Sequence, residues 1–246
     1  MNNVLMELNR KFNVIHDIGW IQSLREGSTG VGYTFETLLG KPEDSNSEPD
    51  YNGIEIKTHR SKSTSHISLF NCVPKGNSSN EVENIYNKYS YLSIKDHRSR
   101  VLNSSVYFGM ITDVGIQYKF SLSVDEIHQI IRLLVFDRQC NLIDNSSYWS
   151  FDCLMEKLYK KLSYLAFICA KNKFIYSYEF FRYEYILFYK LKGFDTFIDL
   201  IKNKKIRVTF KIGRYKSGSR IGDICNHGVS FDIKSSDLNL LFDLII

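Results

Sequence analysis

The stretch that decides the fold is PDYNGIEIKTHR, Pro49 to Arg60. Asn52-Gly53 is a strong signal for a two-residue type I′ hairpin turn, whose central residues both need positive φ. With that turn in place, Tyr51 pairs with Ile54 and Asp50 falls opposite Glu55. Directly opposed Cβ atoms lie about 4.5 to 5.5 Å apart, so the two carboxylates would repel unless something positive stood beside them. Period-two alternation puts Lys57 on the face of Glu55 and turns Ile54 and Ile56 to the opposite, apolar side. One face therefore displays Asp50, Glu55 and Lys57. Hard carboxylate oxygens suit Mg²⁺, which takes one or two carboxylates and completes its octahedron with water and substrate phosphate. A lysine beside it would orient or help deprotonate the attacking water, or neutralise phosphorane charge. The set reads as machinery for phosphodiester hydrolysis; the plain alternative is an exposed hairpin whose Glu55 and Lys57 are merely solvated.

Upstream, Gly27, Gly30 and Gly32 form a glycine-rich entry to a helix predicted over Thr34 to Leu39, with Phe35, Leu38 and Leu39 at helical spacing until Gly40 and Pro42 stop it. Lys41 to Pro49 is polar and turn-like. Downstream, strands are predicted at Gly53 to Thr58, Ile67 to Phe70, Ser105 to Ile111 and Ile116 to Leu122. The polar stretch Lys75 to Asn103 between the second and third reads as a surface excursion with some helix. Helical spacing of Ile127, Ile130, Ile131 and Leu134 predicts a helix over Asp125 to Val135, capped by Ser123. Leu154, Leu158 and Leu162 predict another over Phe151 to Tyr164, with Lys157, Lys160 and Lys161 on a solvated face. A strand at Tyr164 to Cys169 precedes an aromatic run, Phe174 to Tyr189, that reads as packing. A helix near Phe194 to Lys202, a strand at Ile206 to Ile212, a basic hairpin from Gly213 to Asn226 and a strand at Val229 to Ile233 complete the pattern. Strands interleaved with helices make the chain α/β or α+β, with a mixed central sheet flanked by helices.

Pro49, Asp50, Glu55, Ile56 and Lys57 resemble the signature of PD(D/E)XK nucleases. The longer run GSTGVGYTFETLLGKPEDSNSEPDYNGIEIKTHR is similar to the MvaI/BcnI restriction endonucleases and the related mismatch-repair nicking enzyme MutH. ISLFNCVP and the late hairpin with Asn226, His227, Gly228 and Phe231 carry the likeness onward. The resemblance implies a monomeric Mg²⁺-dependent Type II enzyme that nicks one strand at a time at a short pseudo-palindrome. CCWGG is favoured, with CCSGG as the variant. It also implies a cognate DNA methyltransferase as functional partner without required physical contact. Asp50 and Glu55 would hold the metal, joined by the Ile56 carbonyl, with Lys57 positioning water and Glu36 supporting the site. The spacing from Asp50 to Glu55 is shorter than in MutH-like enzymes, which favours the restriction branch. A MutH-like nicking enzyme and an inert sequence-specific DNA-binding protein stay open as alternatives.

On that reading, Ser28 and Thr29 contact a DNA phosphate from the glycine-rich loop, and His59 and Arg60, continuing the catalytic strand, contact the scissile backbone. The late hairpin offers Arg214, Lys216, Arg220, Asp223 and His227, an inventory suited to the major groove: Arg bridges guanine O6 and N7, and an acid accepts from cytosine N4. A catalytic lobe over about residues 1–150 and a DNA-recognition lobe over 151–246 are expected.

Composition agrees. A chain of 246 residues, 43% hydrophobic and with only 3 Pro, is neither disordered nor collagen-like and buries a core. MNNVLMELNRKF carries Glu7 and no apolar run before a cleavage site, and no stretch approaches the roughly 18 apolar residues that span a bilayer. The expectation is a cytoplasmic bacterial protein with no membrane partner. The five cysteines include no CxxC pair, which argues against a zinc site. The net charge of +5 permits a double-stranded DNA partner without indicating one.

Overall fold

The computed structural model describes residues 1–41, 48–94, 97–215 and 218–245, less the side chains of Asn226 and His227. In chain order the elements are α1 (Asn2–Ile18), β1 (Ile21–Gln22), α2 (Gly30–Leu38), β2 (Glu55–Arg60), β3 (His66–Asn71), α3 (Glu81–Tyr89), β4 (Tyr91–Leu92), β5 (Arg100–Val106), β6 (Thr112–Val114) and β7 (Tyr118–Asp125). They continue with β8 (Ile130–Phe136), β9 (Leu142–Asp144), β10 (Tyr148–Ser150), α4 (Phe151–Leu162), β11 (Tyr164–Ile175), β12 (Tyr178–Leu191), α5 (Phe194–Lys202), β13 (Ile206–Arg214), β14 (Ile224–Lys234), α6 (Leu238–Leu241) and β15 (Phe242–Leu244).

The chain folds as two interleaved units, one of residues 1–67, 159–192 and 238–246, the other of 68–158 and 193–237. A division near residue 150 is therefore not how the chain partitions. The reason lies in β2: it needs a hydrogen-bonded neighbour, and that neighbour, β11, comes from the second half of the sequence. β2 runs parallel to β11, with Glu55 beside Leu165 and Lys57 beside Phe167.

The first unit is built on a mixed sheet ordered β1-β12-β11-β2, with β15 also on β12. Its core joins Leu5, Leu8, Phe12 and Ile15 of α1 and Val31 and Phe35 of α2 to Ile54, Ile56, Ala166, Ile168, Phe181 and Tyr183. The apolar face anticipated for Ile54 and Ile56 is thus the face that holds the helices. Each large aliphatic or aromatic side chain fully buried here contributes about 1.5 to 3 kcal/mol.

The second unit contains two sheets, β10-β8-β7-β6 with β9 on β8, and β3-β14-β13-β5-β4. Trp149 and Phe120 of the first meet Phe210 of the second edge-on or tilted, and Trp149 also meets Phe231. Phe197 of α5 packs against Phe70 and Phe231.

One expected helix is absent. Asp125 to Val135 is instead the turn and second arm of a β-hairpin formed by β7 and β8, with Val124 opposite Ile131. The helical spacing was misleading because Ile127 lies at the turn, 90% exposed, while Ile131, Leu133 and Val135 alternate inward with period two. Asp125, at the end of β7, accepts the His128 N–H at 3.0 Å and so closes the turn. The strand expected at Ser105 to Ile111 lies earlier, as β5, and Gly109 at φ 62 turns the chain after it. The aromatic run takes in the end of β11, the turn after it and most of β12, which pairs antiparallel to β11 along nearly its whole length. Among the described residues, no helix is long and apolar enough to cross a membrane.

Candidate active site

The Asn52-Gly53 turn forms as its chemistry requires. Asn52 has φ 43 and Gly53 φ 89, and Tyr51 and Ile54 exchange backbone hydrogen bonds of 2.9 and 2.8 Å. The ladder ends at that pair, however, so Asp50 is not a cross-strand partner of Glu55. Asp50 instead curls its carboxylate onto β2, where Oδ2 accepts the Ile56 N–H at 3.0 Å. β2 is an edge strand, and a strand residue turns its N–H and C=O to the same side. The Ile56 carbonyl therefore looks toward the same unpaired edge as Asp50.

Lysines compensate both acids. Lys41 donates to Asp50 Oδ1 at 2.6 Å, and Lys57 donates to Glu55 Oε1 at 2.7 Å. A third, Lys161 near the end of α4, stands 3.5 Å from the same Glu55 oxygen. Its neighbour Lys160 pairs with Glu48 at 2.7 Å. The lysines of α4 are thus not merely a solvated face. Periodicity identifies the helix but says nothing of what its polar side meets, so Lys161 escaped the sequence reading; Lys41 lay in a run with no period at all.

Glu55 is 1% exposed, and its Oε2 is buried with no hydrogen-bond partner among the described residues. Burial raises its pKa, with Lys57 and Lys161 pulling it back and the charge of Asp50 adding to the rise. Glu36 is also raised, first by burial and then by Asp50. It reaches the site because Gly32 lets α2 approach β2: a Cβ there would lie 3.2 Å from Thr58 Oγ1 and 3.6 Å from Glu36 Oε1. For Asp50, burial pushes upward too, but the Lys41 and Ile56 hydrogen bonds and the lysine charges outweigh it and leave the carboxyl below its ordinary value. Unequal environments thus push neighbouring carboxylates apart, a pattern associated with catalytic sites.

Among the described residues no group of three or more His, Cys, Asp or Glu side chains is gathered as metal ligands. The donor set nevertheless suits a hard divalent cation: two carboxylates, one with a buried unpartnered oxygen, and a strand-edge carbonyl.

The other candidates divide. Ser28 and Thr29 are exposed at the start of α2. His59 is buried, its Nε2 3.3 Å from the Ser65 carbonyl oxygen and its ring beside Phe167. Arg60 is engaged by Glu179 and by the Gly27 and Ser28 carbonyls. Neither His59 nor Arg60 therefore presents itself to a backbone in the way expected. In the late hairpin, which lies in the other unit, Arg214 donates to the Gly222 carbonyl at 2.5 Å and stacks on Tyr86. Arg220 lies over the Tyr215 ring and 3.7 Å from Asp223. Lys216 and the His227 side chain lie outside the described residues.

A comparison with curated proteins finds no match. The profile of the MvaI/BcnI restriction endonuclease family, by contrast, matches residues 9–242. Among solved structures, the restriction endonuclease MvaI in complex with its cognate DNA substrate is similar at TM-score 0.92 and 33% identity, over 100% of this chain and 98% of that one. MvaI in the absence of DNA is similar at TM-score 0.62 and 30% identity over the same shares. A match that starts inside α1 and ends at β15 takes in both units and every candidate residue above, and the chain belongs to the MvaI/BcnI family of restriction endonucleases, Type II site-specific enzymes that cut DNA.

Proposed function

We propose that this endonuclease cuts double-stranded DNA at a CCWGG-type pseudo-palindrome with Mg²⁺ as cofactor, one strand at a time, as a monomer. The observation that carries the reading is the hairpin that brings Asp50 beside a lysine-bound Glu55 with one buried, unpartnered oxygen. Asp50, Glu55 and the Ile56 carbonyl would hold the metal, which supplies Lewis-acid stabilisation of charge developing on the phosphoryl oxygens. Lys57 orients the attacking water and offsets that charge. Glu36, its carboxyl raised by burial, supports the site from α2. Such positioning and electrostatic stabilisation is what phosphoryl-transfer sites are built to provide.

One Asp50, Glu55 and Lys57 set in the chain supports cutting strands in succession. Ser28 and Thr29 contact a backbone phosphate, and Arg214, Lys216, Arg220, Asp223 and His227 read the major groove. The family reading brings with it a bacterial cytoplasm and a cognate methyltransferase that protects the same sequence without binding this protein. MvaI, the relative solved with its cognate DNA substrate, supports duplex DNA as the ligand.

Sequencing the ends of one Mg²⁺ digest of phage DNA tests this. Discrete fragments whose ends all fall within CCWGG are expected. Ends at CCSGG would overturn the choice of central pair, and nicks that depend on an added protein would overturn the restriction reading.

A further inference from the structure

Arg60 lies three residues beyond Lys57 on β2, yet its guanidinium turns toward the glycine-rich loop. Nε and Nη2 donate to the two Glu179 oxygens, each at 2.8 Å. Nη1 donates to the Ser28 carbonyl and Nη2 to the Gly27 carbonyl, both at 2.9 Å. Four of its five N–H donors are thus committed within the protein, and its side chain is only 19% exposed. Glu179 is anchored in turn: its side chain accepts from Asn172 Nδ2 at 2.8 Å, and its backbone carbonyl from the Ser23 N–H, also at 2.8 Å.

These bonds also fix which way the loop amides point. A peptide unit is planar and trans, so its C=O and the next residue's N–H lie on opposite sides. Holding the Gly27 and Ser28 carbonyls inward on Arg60 aims the Ser28 and Thr29 N–H groups outward. Both residues are exposed, and they stand at the N-terminus of α2, the end that favours an anion. Gly27, at φ 84, makes the turn that permits this.

We infer that Arg60 and Glu179 form a positioning pair for cleavage: they hold the phosphate-facing loop in fixed register with the catalytic strand, and Arg60 itself touches no DNA. The inference rests on the proposed reading that Ser28 and Thr29 meet a backbone phosphate. Displacing an aligned group by about 1 Å can cost about 100-fold in rate, so the split between binding and cleavage is the diagnostic.

The test uses the full chain with Arg60→Ala, Glu179→Gln, Arg60→Ala/Glu179→Ala and Ser28→Ala/Thr29→Val. It measures single-turnover cleavage in Mg²⁺, Kd for duplex DNA in Ca²⁺ across salt, and the unfolding temperature. Arg60→Ala is expected to slow cleavage about 100-fold while changing Kd less than about threefold and leaving the salt slope intact. The double variant at 60 and 179 should be no slower than Arg60→Ala, and Glu179→Gln should slow cleavage without tightening binding. A salt slope reduced by about 0.9 in Arg60→Ala, the signature of one lost phosphate contact, would overturn the inference. So would a lowered unfolding temperature with cleavage unchanged, which is what a purely structural pair gives. An unchanged Kd and an unchanged cleavage rate in Ser28→Ala/Thr29→Val, whose uncharged contacts leave the salt slope alone in either case, would remove the phosphate reading at those side chains alone, and the cleavage defect of Arg60→Ala would still be read separately.

Discussion

Replacing Asp50 by Asn keeps the side chain's shape and removes its charge, and the structure sets the size of the effect. Asp50 accepts two hydrogen bonds, from Lys41 at 2.6 Å and from the Ile56 N–H at 3.0 Å, with its side chain 16% exposed. Asn retains one acceptor oxygen. If that oxygen keeps the Ile56 N–H, the amide NH₂ faces the Lys41 ammonium, donor against donor. A hydrogen bond to a charged group is worth about 1.5 to 3 kcal/mol, so a loss near 2 kcal/mol is expected at pH 7. For a chain of this length that lowers the unfolding temperature by about 4 to 8 °C. The pH dependence has a definite sign: the folded carboxyl sits below the ordinary value of 3.8, so its contribution is present above that value and fades as pH falls through the folded pKa. Thermal unfolding of both proteins in chelator, followed by circular dichroism at a series of pH values, should show a gap at pH 7 that closes in acid. Equal unfolding at pH 7, or a gap undiminished in acid, would refute the assignment of Asp50 as a carboxylate held by Lys41.

Glu55→Gln should behave oppositely. Its charge is penalised by burial, so the variant should lose cleavage while unfolding within about 2 °C of the parent at pH 7 in chelator, the relieved penalty offsetting the lost Lys57 bond. The parent should gain stability relative to it as pH falls through the raised Glu55 pKa toward 4.5; a parent advantage largest at neutral pH would count against this. Lys161→Ala removes a charge that lowers the Glu55 pKa, so the acid limb of single-turnover cleavage should move to higher pH, and an unmoved limb would argue that Lys161 does not act on Glu55. Gly53→Ala forces an L-residue to φ 89, costing about 1 to 2 kcal/mol. Melting and cleavage rate should both fall, and a variant unaffected in both would speak against the type I′ turn.

How much of this was legible in the sequence varies from residue to residue. Local chemistry was readable: Asn52-Gly53 admits few alternatives, and the burial of Ile54 and Ile56 follows from alternation once the turn is placed. Where several periods fit the same letters, it was not. Ile127, Ile130, Ile131 and Leu134 satisfy a helix, yet burial of Ile131, Leu133 and Val135 with period two selects the strand. Long-range partners were invisible in principle: nothing in the letters near Lys161 or Glu179 says that β11 will bring them to the two ends of β2. Asp50 shows the same limit at short range, since hairpin register predicts an opposed pair and cannot foresee a carboxylate leaving the ladder to hold the Ile56 N–H.

The central claim is that the Asp50, Glu55 and Lys57 hairpin is the cutting site. Incubating phage DNA with Mg²⁺ and either the parent or Asp50→Ala, and resolving the products by electrophoresis, tests it most directly. The parent should give discrete fragments and Asp50→Ala intact DNA, with Ca²⁺-supported binding of the variant confirming that it still folds and docks. Discrete fragments from Asp50→Ala would place the chemistry elsewhere.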